Sequence, residues 1–158
     1  MRVGIGHDTH RLQAGGPLRL GGVEIPHDYH LVGHSDADVL LHAVTDAVLG
    51  AAALGDIGEL FPDTDPLNRD RDSAEILSEA VRRLQQAGYK VSNVDCIVFA
   101  ERPKLSSYKQ TMQQRIAEIL QVEPDCVGMK AKSGEGIGDI GREEGMAAQC
   151  VALVIQTN

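Results

Sequence analysis

The sequence predicts a single α+β domain over residues 1–158, with a mixed β-sheet covered by helices. Its length suits one hydrophobic core, because chains of this size commonly form one domain. Apolar residues make up 42% of the chain, which is enough to build that core. Segments with strand and helix patterns alternate through the second half, as expected where helices pack on a sheet.

Five strands are predicted from short apolar segments bounded by glycine, proline or polar residues. The second segment is the weakest of the five, because glycines interrupt it. The predicted strands cover residues 2–10, 17–26, 91–99, 127–131 and 146–155.

The first helix is predicted over DVLLHAVTDAVLGAAAL, where apolar residues recur at helical spacing. Asp36 or Asp38 is its expected N-cap, and Gly55 lies just past its end. The segment that follows, GDIGELFPDTDPLNRDRD, is expected to be a long irregular loop. Loops of this length are usually functional or disordered.

Two further helices complete the prediction. Asp72 or Ser73 is the expected N-cap of the second, and Gly88 closes it. The third follows the ERPKLSS turn and stops before Pro124. KSGEGIGDIGREEG then forms a glycine-rich loop before the last strand. The residues expected to face the core are Leu77, Ala80, Val81 and Leu84 in the second helix and Tyr108, Met112, Ile116, Ile119 and Leu120 in the third.

Composition and charge argue against two classes of partner. The net charge is −8 and the chain has two Phe, three Tyr and no Trp, whereas nucleic-acid binders usually present a basic face or stacking aromatic residues. No stretch approaches the ~20 apolar residues that span a bilayer, and the N-terminus lacks a signal-peptide core, so we expect a cytoplasmic protein.

Cys96, Cys126 and Cys150 lack a CxxC spacing and are expected to be buried, reduced thiols.

The GHDTH segment near the N-terminus is a candidate half of a metal site. Side chains at i and i+2 of a strand share a face, so Asp8 and His10 point together, while His7 and Thr9 point the other way. A catalytic zinc usually takes three protein ligands, and His42, within the apolar VLLHAV segment, is the best third candidate. The alternatives are ordinary polar surface for DTH and a core histidine bound to a carbonyl for His42.

A helical face extends this candidate site. Asp38, His42 and Asp46 follow one another at i, i+4 spacing, so a carboxylate on that face is expected to orient the His42 ring. One aspartate and two neutral histidines around Zn²⁺ carry a net positive charge, which would attract phosphate to an otherwise acidic protein.

Two polar segments are candidates for contact with a ligand. His34 and Ser35, in HSDAD, precede a helix start, where backbone N–H groups bind anions; capping by Ser35 or the aspartates is the alternative. Carboxylates in GDIGELFPDTDP could accept hydrogen bonds from sugar or polyol hydroxyls beside an apolar wall, or could belong to a solvated turn. The residues concerned there are Asp56, Phe61, Asp63 and Asp65.

The KSGEGIGDIGR segment could wrap a diphosphate, since its glycines permit close backbone approach. Lys132 and Ser133 offer donors, and Glu135 could hold a hard cation such as Mg²⁺; a mobile hairpin is the alternative. The pattern is not GxxxxGK[ST], so no Walker-type NTPase is implied. In ERPKL, Lys104 and nearby backbone groups could contact a base edge.

Taken together, these motifs resemble the 2-C-methyl-D-erythritol 2,4-cyclodiphosphate synthase family of the non-mevalonate isoprenoid pathway. The most specific segment is HSDADVLLHAVTDAVLGAAALGDIG, which combines the third ligand candidate with the anion-binding motif. The resemblance runs nearly end to end and rests on DTH at 8–10, this segment at 34–58, FPDTDP at 61–66, RPK at 102–104 and KAKSGEGIGDIGREEG at 130–145.

The resemblance implies a homotrimer with active sites between neighbouring subunits. It places one zinc ion per subunit on Asp8, His10 and His42. It also implies that Glu135 holds a second divalent cation, Mg²⁺ or Mn²⁺, which would bridge the α- and β-phosphates of the substrate.

The substrate implied by the resemblance is a small cytidine diphosphate, 4-diphosphocytidyl-2-C-methyl-D-erythritol 2-phosphate. Its 2-phosphate would attack the β-phosphorus and release CMP, with His34 and Ser133 as catalytic residues that hydrogen-bond the transition state. The residues implied at the phosphate and methylerythritol end are Asp8, His10, His34, Ser35, Asp56, Ile57, Gly58, Phe61, Pro62, Asp63, Thr64 and Asp65. Those implied at the cytidine and diphosphate end are Ala100, Pro103, Lys104, Leu105, Ser106, Ala131, Lys132, Ser133, Gly134 and Glu135, with Asp139 and Arg142 towards the trimer axis.

Two residues depart from the family pattern, and two other functions use the same ligands. Ser133 stands where the family commonly has Thr, and it keeps the hydroxyl. Asp139 stands where members often carry an apolar residue, which argues against an apolar ligand in the axial cavity.

The alternatives to a cyclase are a zinc-dependent phosphohydrolase and a non-enzymatic structural-zinc module that senses nucleotides. The second would need a fourth ligand, for which His27 and His30 are the nearest candidates.

Overall fold

The computed structural model describes residues 1–62 and 64–157, apart from the side chain of Leu67. The chain forms an α+β fold in which helices and strands are mixed along the sequence. In order they are β1 (Arg2–Ala14), β2 (Leu18–Leu20), β3 (Val23–Ile25), β4 (Tyr29–Val32), α1 (Val39–Ala52), α2 (Ile57–Leu60), α3 (Ser73–Gln86), β5 (Tyr89–Phe99), α4 (Lys109–Leu120), β6 (Val127–Lys132), α5 (Gly138–Gly141) and β7 (Gly145–Gln156).

The main sheet has the strand order β4-β1-β7-β5-β6, and β2 pairs with β3 separately. β5 and β6 run parallel, whereas the other pairs in the main sheet are antiparallel. α1 packs on β1 and β7, while α3 and α4 pack on the β5 and β6 side. The opposite face of the sheet exposes Val3, Ile5 and Val151. The predicted mixed sheet is therefore confirmed, and its three long helices lie on one face.

The contact between α1 and β1 is unusually close because small residues meet there. A Cβ atom on Gly4 would overlap the carbonyl oxygen of Ala47, and one on Gly6 would overlap that of Ala43. These two glycines alternate with the exposed Val3 and Ile5 along β1, so one face of the strand receives the helix backbone. α1 is buried along most of its length as a result.

Several strand predictions were incomplete. β1 continues past residue 10, because β4 pairs with its second half from Arg11↔Val32 to Ala14↔Tyr29. The segment predicted as one strand at 17–26 is a hairpin instead, with Gly21 and Gly22 in its turn at positive φ. β4 was not predicted, since four residues give too short a pattern to recognise.

The two predicted loops also contain short helices. Within 55–72, α2 forms after Asp56, whose carboxylate accepts a hydrogen bond from Glu59 N at 2.8 Å, and a 3₁₀ turn covers Pro66–Asn68. In the glycine-rich loop, α5 forms one turn over Gly138–Gly141. Local capping at Asp56 is sufficient to form a turn within a polar segment that has no helical periodicity.

The helix ends follow the predicted chemistry in part. Asp38, rather than Asp36, caps α1, and its carboxylate accepts hydrogen bonds from Leu40 N and Leu41 N. Asp72 caps α3, as one of the two predictions had it, and Gly88 follows that helix at positive φ. α1 ends two residues earlier than predicted, because Ala53 takes the left-handed conformation that Gly55 was expected to supply.

The cysteine prediction holds for two of the three residues. Cys96 and Cys150 are buried free thiols on β5 and β7, with their Sγ atoms 3.6 Å apart. Cys126 is partly exposed, because it lies in the turn before β6 rather than in a strand. None of the helices in the described ranges is both long and apolar enough to cross a membrane. The cytoplasmic location stays a prediction.

We predict that Gly6→Ala destabilises the protein, because its new methyl group would displace α1 from the sheet. Overpacking of this kind typically costs about 1–3 kcal/mol in the free energy of unfolding. Urea denaturation followed by circular dichroism measures the change.

The matched control is Gly50→Ala, in α1 itself. A Cβ there would have its nearest neighbour, Ile5 O, at 3.9 Å, which is an ordinary contact. The free energy of unfolding of this variant should rise by roughly 0.5–1 kcal/mol, since alanine is the better helix former. Equal effects of the two substitutions would contradict the proposed steric origin.

Candidate metal centre and adjoining cavity

Asp8, His10 and His42 converge where β1 meets α1. Asp8 Oδ2 lies 2.9 Å from His42 Nδ1 and 3.1 Å from His10 Nδ1. Each residue offers one ligand atom, and these atoms all lie within 4.8 Å of one another. Sequence spacing alone could not show that α1 brings His42 close to Asp8 and His10 on β1. The structure shows that it does.

Strand alternation separates this group from the other half of GHDTH, as predicted. His7 is exposed on the open face of the sheet, where its Nε2 lies 3.2 Å from Thr9 Oγ1. His27 and His30 are also outside the group, and His30 Nδ1 contacts the Gly15 carbonyl oxygen. Among the described residues, the structure therefore offers three ligands for one ion and no fourth histidine or carboxylate to close the site.

The environment of the three side chains fits a metal ion. His10 Nδ1 is buried, and Asp8 Oδ2 at 3.1 Å is its one polar neighbour named among the described residues, without forming a regular hydrogen bond, which suits an atom that binds a metal. Burial raises the pKa of Asp8, but the neighbouring His10 and His42 imidazoles outweigh it, and the pKa lies well below its usual range. A carboxylate with two imidazoles is a donor set that zinc accepts in catalytic sites.

Two serines, rather than Asp38 or Asp46, contact the Nε2 side of the His42 ring. His42 Nε2 lies 3.0 Å from Ser35 Oγ and 2.9 Å from Ser73 Oγ. The prediction that Asp38 or Asp46 would orient the ring was wrong.

Both aspartates are bound to backbone groups elsewhere. Asp38 caps α1 and binds Gly21 N and Gly22 N, while Asp46 accepts a hydrogen bond from Ile57 N at 2.9 Å. Burial raises the pKa of each of these carboxyls above its usual value.

A cavity of about 330 Å³ adjoins the group. Gly33, Asn68 and Ile76 contribute to its wall and were not predicted, because they lie just outside the recognised motifs and reach the cavity through tertiary contacts. The predicted residues that line it are Asp8, His10, His34, Ser35, His42, Ile57, Gly58 and Phe61. Arg71 stacks on the outer side of the apolar wall, with its guanidinium carbon 4.7 Å from the Phe61 ring centre.

Of the remaining predicted residues of this segment, those that the structure describes lie beside the cavity rather than in its wall. Asp56 caps α2, and Pro62 O accepts hydrogen bonds from Asp65 N and Asn68 Nδ2. Thr64 is exposed nearby. Asp63 lies outside the described residues.

The residues predicted for cytidine and diphosphate form a second group, at the carboxyl ends of the parallel strands β5 and β6. Ala100 N donates to Lys132 O at 2.9 Å. Glu101, which was not predicted, accepts a hydrogen bond from Gly134 N at 3.0 Å and so ties the two segments together. The predicted members of the group are Ala100, Pro103, Lys104, Leu105, Ser106, Ala131, Lys132, Ser133, Gly134 and Glu135. Leu105 is buried, whereas Lys104, Ser106 and residues 131–133 and 135 are exposed.

The two groups share one end of the sheet but not one cavity. Thr9 on β1 and Lys132 on β6 lie in the same row of paired residues, through β7 and β5. Three strand spacings separate them, which amounts to roughly 14 Å. In the described part of the chain, no residue of the second group lines the cavity beside His42.

Asp139 and Arg142 belong to neither group. Arg142 pairs with Asp139 and, at 2.7 Å, with Glu144, on the exposed surface around α5. These contacts raise the pKa of Arg142 and lower that of Glu144. The carboxylate of Asp139 is therefore matched by a cation within its own chain.

Fold and site together define a single-domain α+β protein whose Asp-His-His cluster opens into a cavity. The model of the YgbB family matches residues 1–155, and the chain belongs to that family.

A curated relative from Salinibacter ruber, named 2-C-methyl-D-erythritol 2,4-cyclodiphosphate synthase, is 56% identical over 154 residues, which are 98% of each chain. The resemblance drawn from the motifs is thus confirmed.

Solved structures agree with this assignment. The bifunctional IspDF from Campylobacter jejuni is 42% identical, with a TM-score of 0.95 over 99% of this chain, which spans 42% of that longer protein. A structure described as 2C-methyl-D-erythritol-2,4-cyclodiphosphate synthase in its CDP-bound form is 37% identical, with a TM-score of 0.90. The match covers 98% of this chain and 100% of that one.

We predict that His42→Ala abolishes zinc binding and leaves the chain folded, because it removes one of three ligands and no large part of the core. His7→Ala is the matched control on the other face of β1, and its zinc content should equal that of the wild type. Metal analysis after dialysis against Zn²⁺, with circular dichroism, measures both. A large loss of zinc in the His7 variant would show that the ligand assignment is wrong.

Proposed function

We propose that the chain converts 4-diphosphocytidyl-2-C-methyl-D-erythritol 2-phosphate into 2-C-methyl-D-erythritol 2,4-cyclodiphosphate and CMP. The observation that carries this proposal is the Asp8, His10 and His42 cluster beside a cavity, in a chain 56% identical to a curated synthase. The product places the enzyme among the phosphorus-oxygen lyases of the non-mevalonate isoprenoid pathway.

The proposed metal ligands are Asp8, His10 and His42, with zinc as the ion. When bound, zinc would supply Lewis acidity to a phosphate oxygen at its open coordination position. Asp8 is held ionised by its low pKa and is ready to act as the anionic ligand. His10 packs closely against Gly33, because a Cβ at residue 33 would come within 2.7 Å of the His10 Nε2 atom.

His34 and Ser35 are the proposed contacts for the substrate phosphate, since both line the cavity next to the metal ligands. The backbone N–H groups of Leu40 and Leu41 are bound by Asp38, so these side chains, rather than the helix terminus, would supply the donors. The α2 segment, with its apolar Phe61 wall, would hold the methylerythritol end.

The second group of residues is proposed to bind the nucleotide. Segments 100–106 and 131–135 present exposed backbone and Lys104 for the cytidine and α-phosphate. Glu135 would hold a second cation, Mg²⁺ or Mn²⁺, which typically binds through one or two carboxylates plus substrate phosphates. The hydroxyl of Ser133, which is two residues before Glu135, would hydrogen-bond the phosphoryl oxygens in the transition state.

The proposed reaction is intramolecular and needs no protein nucleophile. An oxygen of the 2-phosphate forms a bond to the β-phosphorus, while the bond from that phosphorus to the bridging oxygen breaks and its electron pair leaves with CMP. Phosphoryl transfer asks a protein mainly for position and charge stabilisation. Holding both ends of the substrate in one cleft can lower the activation barrier by about 7–11 kcal/mol.

A homotrimer is proposed because one chain does not complete the cleft. The two groups lie at the same end of the sheet, yet the described residues of one chain form no cavity that both groups line. The open sheet face exposes apolar Val3, Ile5 and Val151, which a neighbouring copy would cover. Packing these faces together would let the nucleotide group of one subunit meet the metal group of the next.

We predict that the purified chain with its substrate, Zn²⁺ and Mg²⁺ yields CMP and the cyclic diphosphate in equal amounts. Mass spectrometry identifies both products. An acyclic methylerythritol phosphate would support a phosphohydrolase instead, and absence of turnover with bound zinc would support a structural-zinc module. Removal of the divalent metals with a chelator should stop product formation, and their return should restore it.

We further predict a solution mass about three times that of the 17.0 kDa chain, measured by light scattering after size exclusion. Ile5→Asp should give monomers, because it places a charge on the proposed apolar interface. Ser78→Asp adds the same charge to the exposed side of α3 and should leave the assembly intact. A trimeric Ile5 variant would contradict the use of this face.

A further inference from the structure

The imidazole of His42 is held on its far side by two hydroxyl groups with different surroundings. Nδ1 faces Asp8, and Nε2 lies within hydrogen-bond distance of both Ser35 Oγ and Ser73 Oγ. Ser35 lines the cavity and is half-buried, whereas Ser73 is fully buried at the first position of α3. The metal cluster described above does not include Ser73, and neither did the sequence motifs.

The hydroxyl of Ser73 is committed to a carboxylate. Its Oγ donates to Asp36 Oδ1, and its backbone N donates to Asp36 Oδ2 at 3.2 Å. A serine has one hydroxyl hydrogen, so an Oγ that donates to Asp36 can only accept from His42. The hydrogen between Ser73 and the ring therefore belongs to Nε2.

Asp36 is itself well placed to keep this arrangement. Its Oδ1 also accepts a hydrogen bond from Asp38 N at 3.3 Å, and its own N donates to Arg71 O at 3.1 Å. The carboxylate is thus anchored between the start of α1 and the segment that leads into α3. Neither of these contacts involves a residue that would bind the metal.

Ser35 lacks such a partner. Its Oγ accepts a hydrogen bond from Ala37 N at 3.2 Å, and among the described residues no carboxylate takes its hydrogen. Ser35 can therefore turn its hydrogen towards a ligand in the cavity, which agrees with its proposed role as a phosphate contact.

We propose that Asp36 and Ser73 are positioning residues that hold His42 as the Nε2–H tautomer and so leave Nδ1 as its metal-binding atom. The nitrogen of a histidine that binds a metal is set by the hydrogen bond that the other nitrogen makes. A carboxylate behind the hydroxyl strengthens the acceptor and makes the imidazole a better ligand. The inference goes beyond the reaction and rests on the proposed metal triad alone.

The first test measures the affinity for Zn²⁺ alone, by competition with a chromophoric chelator. Ser73→Ala and Asp36→Asn should each weaken zinc binding by about 10–100-fold, the usual effect of removing a group that supports a metal ligand. Ser73→Thr keeps the hydroxyl and should bind zinc more tightly than Ser73→Ala. Ser78→Ala is the matched control on the same helix, where Oγ donates to Ala74 O, and should leave the affinity unchanged.

The second test follows the tautomer directly. In ¹⁵N NMR spectra of the zinc-loaded wild type, His42 should show a protonated Nε2 whose hydrogen exchanges slowly with water. In Ser73→Ala and Asp36→Asn that hydrogen should exchange faster. A merely structural contribution to folding would change the urea denaturation of the protein without zinc and leave the exchange of this one hydrogen unaltered.

The outcomes separate this inference from the proposals it accompanies. Wild-type zinc affinity and unchanged Nε2–H exchange in both variants would overturn it, with the metal triad and the reaction intact. Failure of the wild type to bind zinc would overturn the triad and this inference together. If Ser73→Ala does not fold, Asp36→Asn and Ser73→Thr carry the test. A loss of zinc affinity in Ser35→Ala equal to that in Ser73→Ala would also overturn it, because the two serines would then be equivalent.

Discussion

The close contact between the α1 backbone and the β1 strand is the constraint on which the rest of the structure depends. Gly4 and Gly6 let the helix approach until its Ala43 and Ala47 carbonyls fill the space a side chain would need. His42 is the residue just before Ala43, and the half of β1 that carries Asp8 and His10 begins two residues beyond Gly6. The same contact that buries the centre of the protein therefore sets the distance between ligands. Backbone packing of this kind is stiff, since protein interiors are packed as densely as organic crystals and resist compression.

Two carboxylates, the buried Asp38 and the half-buried Asp46, join the segments around that contact. Asp38 is fully buried, and burial raises its pKa, while backbone N–H groups of Gly22, Leu41 and Gly21 partly offset the effect. It connects the β2–β3 turn to the start of α1. Asp46 connects α1 to α2 in the same manner. These carboxylates organise the loops that form the cavity, which explains why neither is left to orient a histidine.

Local rules predicted the parts of the site that depend on neighbours along the chain. Alternation in a strand was enough to select Asp8 and His10 and to exclude His7, and capping chemistry located the starts of α1 and α3. Ser73, Gly33 and Asn68 escaped prediction because they reach the site through tertiary contacts between distant segments. The distance between the Asp8–His10–His42 cluster and the group proposed to bind the nucleotide was equally hidden, since it follows from the order of strands in the sheet. The resemblance to a family suggested roles for His34, Ser133 and Glu135 that periodicity could not.

β1 serves two surfaces at once, and this has a consequence for how its sequence can change. Even-numbered residues from Gly4 to His10 face α1, while Val3, Ile5 and His7 face away from it. A strand that slips by one residue exchanges its two faces completely. A single-residue insertion or deletion within β1 would send the ligands outward and drive branched side chains against the helix backbone. Substitutions can alter one surface at a time, but a change of length would disable both together.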